Sequence, residues 1–534
     1  MKSKYLLITF LFVVLNTFSQ ESKNVLFTID GELFHTKEFL RVYKKNLTLV
    51  VDSKNDIDSY LKLFIDYKLK VKEAKKLGLD TLRKFKNELK QYKINLIKPY
   101  LRDQNVTQKL VKEAYERLQK EVNVSHILIF VKPDAVPKDT ILVYNKLIEA
   151  RNLIEKGHDF IDVAKKYSTD PMVEQNGGSV GYFTALQMVY PFENIAYTTA
   201  INEVSMPFRT KFGFHILKVN KVRESKGEVE VAHIMFKNDS LTSKRKIDSI
   251  YKIILSKSQN FADVAKKVSE DSASALKGGK LKKFASGQMI EDFSKVAFSL
   301  KTESDISTPF KTQFGWHIVK LIKKYPIKSF SKLESKLRQE VEKDVRSNLI
   351  GQSVINKLFQ EYHIVVNEVA VQQFYTENWK TNSANFQKKI LSINEKNIFQ
   401  KKFITFLKTV TNTPVDKAFK VFKEKEVLDY YKDNIEHSNP EFAARYKEFK
   451  EGLLLFDLLE NQVWEKAKDS LGLSKYFKTN KAYKYKSKKL KNIRGAVISD
   501  YQNYLDAKFT KGLHEKYKVK IDKAEKKKIK SLKL

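Results

Sequence analysis

The apolar positions of this chain fall into two periods that alternate along its length. Near the start, "VLFTIDGELF" has the make-up of a strand and breaks at Asp30-Gly31, a pair suited to a tight hairpin turn. Leu61, Phe64, Tyr67 or Lys68, Val71, Ala74 and Leu77 then repeat every three or four residues, which predicts a helix stopped by Gly78. Phe85, Leu89, Tyr92 and Leu96 predict a second helix ending at Pro99. Leu110, Val111, Ala114, Tyr115 and Leu118 predict a third that begins at Thr107. From Val122 the pattern changes: "VNVSHILIFV" is β-branched and apolar, as a buried strand is. Helices follow over 140–156 and 159–167, the second turning Phe160, Val163, Ala164 and Tyr167 inward. Gly177-Gly178 permits a left-handed backbone, a further helix runs over about 191–200, and strands near 206–209 and 214–222 close the unit.

The same pattern then returns, and a repeat outweighs any single element. "YSTDPMVEQNGGSVGYFTALQMVYPFENIAYTTAINEVSMPFRTKFGFHILKV" (167–219) matches "VSEDSASALKGGKLKKFASGQMIEDFSKVAFSLKTESDISTPFKTQFGWHIVKL" (268–321). Asp170 and Asp271, Met188 and Met289, and Phe192 and Phe293 are each 101 residues apart. His215 and His317 are 102 apart, and His126 ("VSHILIF") and His233 ("VAHIMFK") 107 apart. The extra residues fall in the first copy's longer loop, "KPDAVPKDT". Five ordered anchors imply two homologous domains in tandem. After them, 327–534 reads as helical and highly charged. Phe449, Leu453, Phe456, Leu459 and Trp464 form a broad apolar stripe expected to face a core. "GAVISDYQNYLDAKFTKGLHEKYKVKI" reads as a strand or turn, a helix and a short strand, and "YKVKI" could return to pair with the N-terminal module.

A strand with His-Ile-Leu, a helix with "FxxxAKKxS", an Asp, Gly-Gly, a Gln-Met…Phe pair and a Gly-aromatic-His strand together resemble the parvulin family of peptidyl-prolyl cis/trans isomerases. The resemblance covers 122–224 and 226–326. With helical flanks, and wording such as "DYKLKVKEAKKLGLDT", the whole chain resembles a SurA-type periplasmic chaperone-isomerase in the form found in the Bacteroidetes lineage. The fold this implies is multidomain α+β. Two tandem parvulin-like domains, each a four-stranded antiparallel sheet with surrounding helices, stand between largely helical N- and C-terminal regions. The corresponding divisions are 1–19 (signal peptide), 20–121 (helical chaperone-like region), 122–224, 226–326, and 327–534 with its basic tail.

Rotation about an X-Pro bond makes and breaks no bonds, but the amide barrier is about 18–20 kcal/mol. A catalyst must hold the proline ring and favour the twisted amide. The resemblance assigns the first task to Val180, Phe183, Met188 and Phe192, and to Leu281, Phe284, Met289 and Phe293. Taken alone, such a Met-aromatic stripe also suits ordinary core packing. The second task falls to His126, Asp170 and His215, and to His233, Asp271 and His317. An Asp at this position fits an electrostatic or hydrogen-bonding role and argues against an obligatory covalent route. The histidines could equally be structural, locking neighbouring strands together. Two His and one Asp could ligate zinc, but the family pattern requires no metal, and no cofactor is expected. No nucleophile elbow supports a hydrolase. The repeats depart from the family differently: Leu186 stands where Gly is common before Gln-Met, and Lys282 where a third Gly is common. Either departure could weaken its site; the first repeat is favoured as the working one. Lys132, Lys138 and Lys244-Arg245 do not make a paired-arginine phosphate clamp, so phosphoserine-proline specificity is not supported.

Composition narrows the setting. The chain has 534 residues, too many for one domain, and 42% are hydrophobic, enough to bury cores. There are no cysteines, which excludes disulfides, thiolate metal sites and a lipoprotein anchor. The formal charge is +37, yet most lysines sit at helical spacing among Glu and Asp, as on a solvated face. No nucleic-acid motif accompanies the charge, so no specific nucleic acid is expected. Residues 1–19, with Lys2 and Lys4 before "YLLITFLFVVL" and Thr17-x-Ser19 before a cut near Gln20, have the form of a cleaved secretory signal. That run is too short to span a bilayer comfortably, so no transmembrane anchor is expected after cleavage. The expected partners are unfolded or proline-containing exported polypeptides, including outer-membrane protein precursors. A chaperone whose parvulin domains only hold clients is the alternative.

Overall fold

The computed structural model describes residues 24–46, 57–132, 135, 137–238, 240–376, 378–410 and 413–531; the expected signal segment lies outside them. It divides into two compact units. One joins the chain up to Pro99 with the chain from Lys432, and the other is Tyr100–Tyr431.

In the first unit Val25–Ile29 and Glu32–His35 form the expected hairpin, with Asp30 (φ 49°) and Gly31 (φ 85°) turning it. The last strand, Val519–Ile521, does pair with it: Phe27 lies opposite Ile521 and Ile29 opposite Val519. The sheet's apolar face, with Leu26, Phe27, Ile29 and Phe34, closes on Phe39 of helix Thr36–Asn46 and on Leu61, Phe64 and Leu69 of helix Ile57–Lys76. Leu77, past the end of that helix, is 51% exposed and belongs to no face. Lys68 is 2% exposed and bonds Glu38 and Glu451 at 2.5 and 2.6 Å, which ties the N-terminal strand-and-helix segment to the C-terminal helices. A cation buried here is tolerable only because it is so paired. The predicted stripe does not form the buried face. None of its five residues is fully buried, Leu453 packs only at the edge of the core and Phe456 is 49% exposed. The neighbouring Leu454 and Leu458 of helix Pro440–Leu459 are the ones buried against Val71, Ala74 and Phe85. "GAVIS", expected as a strand or turn, is helical within Leu490–Lys516.

In the second unit the two repeats fold alike. The first has strands Lys120–Phe130, Ser179–Phe183, Phe208–Thr210 and Gly213–Glu224. The second has Glu228–Lys237, Phe284–Ala285, Phe310–Thr312 and Gly315–Tyr325. All pairs are antiparallel, with the long opening and closing strands at the centre of each four-stranded sheet. Helices Pro137–Glu155 and Phe160–Tyr167 pack on one face, and helix Tyr190–Thr198 is positioned by the other core cluster. Where Gly181 of the first repeat is matched by Lys282 in the second, the strands differ in length. The strand that runs for five residues through Gly181 in the first repeat is two residues long in the second, with an isolated bridge at Lys280. The helix expected from Thr107 begins at Gln104, because the Asp103 side chain accepts the N–H groups of Asn105 and Val106. It packs with Phe330–Lys343 and Ser347–Glu361 around Leu110, Val111, Leu337, Val341 and Ile350.

The region after residue 327 holds more than helices. Ile364–Val366, Lys389–Ile393 and Lys396–Phe399 form a three-stranded sheet that reproduces the sheet of the first unit. Ile364, Val365 and Val366 face Ile393, Ser392 and Leu391 as Val519, Lys520 and Ile521 face Ile29, Thr28 and Phe27. His363 N–H and carbonyl bond Asn394 as Lys518 N–H and carbonyl bond Asp30, each donor side at 2.8 Å. Asn367 and Asp522 cap the next helix alike, and Phe403 and Phe39, both 0% exposed, fill the same core position. The chain therefore contains a second duplication, of a strand–helix module.

Candidate active site

Each repeat places its two histidines on the central strand pair. Gly178 and Gly279 brace the first histidine of each pair: the His126 and His233 N–H groups donate to their carbonyls at 2.8 Å. A Cβ at Gly178 would stand 2.4 Å from the His126 carbonyl oxygen, and one at Gly279 2.2 Å from that of His233, so only glycine fits. Asp170 reaches His126 Nε2 at 3.1 Å, and Asp271 reaches His233 Nε2 at 2.7 Å. Across the strands the rings of His126 and His215 lie 5.7 Å apart between centroids, as do those of His233 and His317. The six polar residues expected from the sequence thus assemble into two rows.

Each row has a fourth member that the sequence reading missed. Thr210 Oγ1 lies 2.8 Å from His215 Nε2, and Thr312 Oγ1 2.8 Å from His317 Nε2. Both threonines stand five residues before their histidine, in "RTKFGFH" and "KTQFGWH", and that shared spacing was the available signal. In the first repeat the Nδ1 atoms of His126 and His215 are 3.5 Å apart. One proton order then suits neutral rings: Thr210 O–H to His215 Nε2, His215 Nδ1–H to His126 Nδ1, and His126 Nε2–H to Asp170, an assignment made from the bonding pattern. Burial favours those neutral rings. It holds the His215 imidazole down at about 3 and His317 at about 4, each helped by the neighbouring histidine. His126 and His233 are also lowered by burial, against the pull of Asp170 and Asp271. The second row differs in detail. Ser274 bonds both His233 Nε2 (3.1 Å) and Asp271, while His233 Nδ1 and His317 Nδ1 have no hydrogen-bond partner among the described residues. Burial raises the Asp271 carboxyl, but bonds from Ser274 and His233 outweigh it and bring it below the usual value.

The apolar residues sit above the rows. The Phe192 ring meets His126 and His215 edge-on at 5.7 and 5.6 Å; Phe293 meets His233 and His317 at 5.6 Å each. Met188 and Val180, partly buried, pack against the Phe192 cluster. In the second repeat Leu281, Met289 and Phe293 line an open cavity of about 650 Å³ with His233, Asp271 and His317. Phe183 and Phe284 lie lower, 1% and 4% exposed, and support Phe192 and Phe293 from the core.

Family profiles for the PPIC-type PPIase domain match residues 108–223 and 232–323. The chain carries two PPIC-type peptidyl-prolyl isomerase domains. The chain is also similar to proteins named Chaperone SurA. It is 33% identical over 211 residues to that of Nitrosococcus oceani (38% of this chain, 49% of the relative), and 31% identical over 215 residues to that of Pseudomonas aeruginosa (39% and 51%). The chain spans about half the length of these curated relatives. Among solved structures, the peptidylprolyl isomerase PrsA of Bacillus anthracis is similar at 30% identity and TM-score 0.19 (25% of this chain, 60% of that one). A SurA-like chaperone of Campylobacter jejuni is similar at 22% identity and TM-score 0.16 (37% and 82%). Among the described residues no helix is long and apolar enough to cross a membrane.

Proposed function

We propose that this chain is an exported peptidyl-prolyl cis/trans isomerase and folding chaperone, acting in the periplasm on unfolded proteins, outer-membrane precursors among them. The observation that carries the reading is the duplicated Asp–His–His–Thr row beneath a Met-Phe wall. The wall holds the proline ring. The Asp170 or Asp271 carboxylate faces the carbonyl side of the amide and disfavours the charge-separated planar form, so the twisted amide is relatively favoured. His126, backed by His215 and Thr210, holds Asp170 in place, and His233 with Ser274 holds Asp271; no nucleophile is needed. The similarity to chaperones named SurA and the signal-like first 19 residues support export.

The holding function has its own candidate surface in the first unit. Tyr92 stacks on Phe449 at 3.5 Å between centroids, and with Leu96, Leu453 and Phe456 lines a groove of about 1190 Å³ rimmed by Arg41, Lys45, Glu441 and Glu448. The test uses the full chain carrying Met188→Ala with Met289→Ala. Loss of proline-tetrapeptide isomerisation with unimpaired suppression of client aggregation supports two separable activities. Wild-type protein without isomerisation leaves the client-holding alternative.

A further inference from the structure

The face of the first repeat that bears its Gln-Met loop is built unlike the same face of the second. Five positions, each 101 residues apart, differ: Thr184, Leu186, Tyr190, Glu193 and Tyr197 correspond to Ala285, Gly287, Glu291, Ser294 and Phe298. In the first repeat all five meet the helical layer of the same unit. The Thr184 hydroxyl lies 3.2, 3.3 and 3.0 Å from the carbonyl oxygens of Arg117, Leu118 and Lys120, and the Tyr197 hydroxyl 3.0 and 2.8 Å from those of Arg117 and Lys120. The Arg117 and Leu118 carbonyls lie in the last turn of helix Gln104–Leu118, where helical partners run out, and Lys120 opens the strand that follows. Leu186 packs into the cluster of Leu110, Leu337 and Ile350. Tyr190 donates to Glu113 at 3.1 Å, and the Arg346 guanidinium covers its ring at 4.5 Å.

Glu193 is the centre of this face. It is 0% exposed. Its Oε1 accepts from Arg117 at 3.1 Å; its Oε2 accepts from Arg346 at 2.9 Å and from the Leu186 N–H at 2.7 Å. Arg346, also 0% exposed, stands at the start of helix Ser347–Glu361 and is held by Asp344 at 2.7 Å. Leu186 has φ +66°, a left-handed backbone that L side chains disfavour. Its amide is therefore held where it would not rest unaided. Two residues after Leu186 comes Met188, and one before Glu193 comes Phe192, the wall of the pocket. The second repeat has none of this: Gly287 takes φ +81° freely, and the Ser294 hydroxyl bonds the Met289 carbonyl at 3.2 Å.

We infer that Glu193 is a positioning residue of the first repeat. Through it the helices Gln104–Leu118 and Ser347–Glu361 hold the Met188 loop and the Phe192 wall in register with Asp170, His126 and His215. The second repeat shapes its pocket without that support. The catalytic part of this inference rests on the proposed isomerase activity; the structural part does not.

The experiment uses the full chain in an Asp271→Ala background, which leaves the first repeat to act, and in an Asp170→Ala background, which leaves the second. Glu193→Asp keeps the charge for both arginines but withdraws the carboxylate from Leu186. Asp344→Asn is the milder variant, loosening Arg346 alone. With a proline tetrapeptide nitroanilide as probe, Glu193→Asp is expected to lower kcat/KM of the first repeat about tenfold, chiefly in kcat. Amide exchange at Leu186 should rise by about the same factor, and the second repeat should be unaffected. Asp344→Asn should give the same pattern at smaller size, and decides the matter if Glu193→Asp does not fold. Faster exchange at Leu186 with unchanged kcat/KM, or equal losses in both backgrounds, overturns the inference. If the wild type shows no isomerisation, the isomerase reading fails, and the inference is judged by tetrapeptide affinity: an unchanged Kd with faster Leu186 exchange overturns it.

Discussion

In the first repeat the facing Nδ1 atoms of the two histidines are 3.5 Å apart, and a buried carboxylate holds Leu186. In the second, His233 Nδ1 and His317 Nδ1 are without partners among the described residues, Ser274 joins the Asp271 end, and Gly287 stands where Leu186 does. The atoms nearest the proposed chemistry keep their places, with 5.7 Å between paired imidazoles and 2.8 Å from the second imidazole to threonine in both. What differs is the support. One site is braced by helices outside its own domain; the matching turn of the other rests on the first repeat, with Arg223 3.3 Å from the Ser286 hydroxyl and the Tyr182 carbonyl close beside Gly287. Duplication has left the row fixed and the scaffold free to change, so the two sites should fail under different insults.

The largest difference should appear on removing Arg346. Arg346→Ala leaves Glu193 buried with one arginine instead of two, and breaking such a pair costs about 3–5 kcal/mol. Urea unfolding followed by hydrogen exchange should show that loss in 122–224, with 226–326 nearly unmoved. Ser294→Ala, at the position matching Glu193, should cost no more than about 1.5 kcal/mol. Equal losses in both repeats would show that the helical layer stabilises the unit as a whole.

Next in size is the partition of activity. Asp170→Ala and Asp271→Ala should each remove one repeat's share of tetrapeptide isomerisation, and the double variant should fall about 100-fold, the scale for losing one preorganised electrostatic group. The open cavity beside Asp271 leads us to expect a large share from the second repeat, against the preference that the sequence departures suggest. A double variant as active as the wild type would remove the carboxylates from the mechanism.

These contrasts show which features the sequence could carry. That the six polar residues of the two rows would come together was legible from the family resemblance, which the repeat prints twice, and the return of "YKVKI" to the first strand was legible from its pattern. Thr210 and Thr312 were overlooked because threonine is an ordinary strand residue. Glu193 looks like a solvated helix charge in "YPFENIAY"; its partner Arg346 is 153 residues away, and no local pattern joins them. The strand Ser179–Phe183 was hidden by its glycine, and Asp103 was not taken as a cap. The sheet at 364–399 escaped because its duplicate is split between the two ends of the chain, with few identical residues. Apolar residues all round helix Pro440–Leu459 made its buried side unreadable.

The histidines should also separate the repeats by pH, at a smaller scale. An unfolded imidazole titrates near 6.5, whereas the folded values are about 3 for His215 and about 4 for His317. Between those limits the unfolded chain binds protons that the folded chain refuses, so stability is full above pH 6.5 and falls on acidification. The slope is about 1.4 kcal/mol per pH unit for each such histidine. Below about pH 4 the His317 contribution levels off, while that of His215 continues to fall to about 3. Urea midpoints measured by exchange in each repeat from pH 7 to 3.5 should therefore diverge at the acid end. Parallel curves throughout would show that the two rows are equally shielded.

The smallest expected effect is Leu186→Gly. Glycine removes the cost of a left-handed leucine, about 1–2 kcal/mol. It also loses a half-buried side chain and gives the unfolded chain more freedom, which together cost a similar amount. The unfolding free energy should change by no more than about 1 kcal/mol, because the Leu186 N–H to Glu193 bond does not depend on the side chain. If Glu193 positions the loop, activity of the first repeat should survive this change while Glu193→Asp impairs it. A Leu186→Gly variant that loses as much activity as Glu193→Asp would mean that the leucine side chain packed against Leu110 and Leu337, rather than the amide bond, is what sets the pocket.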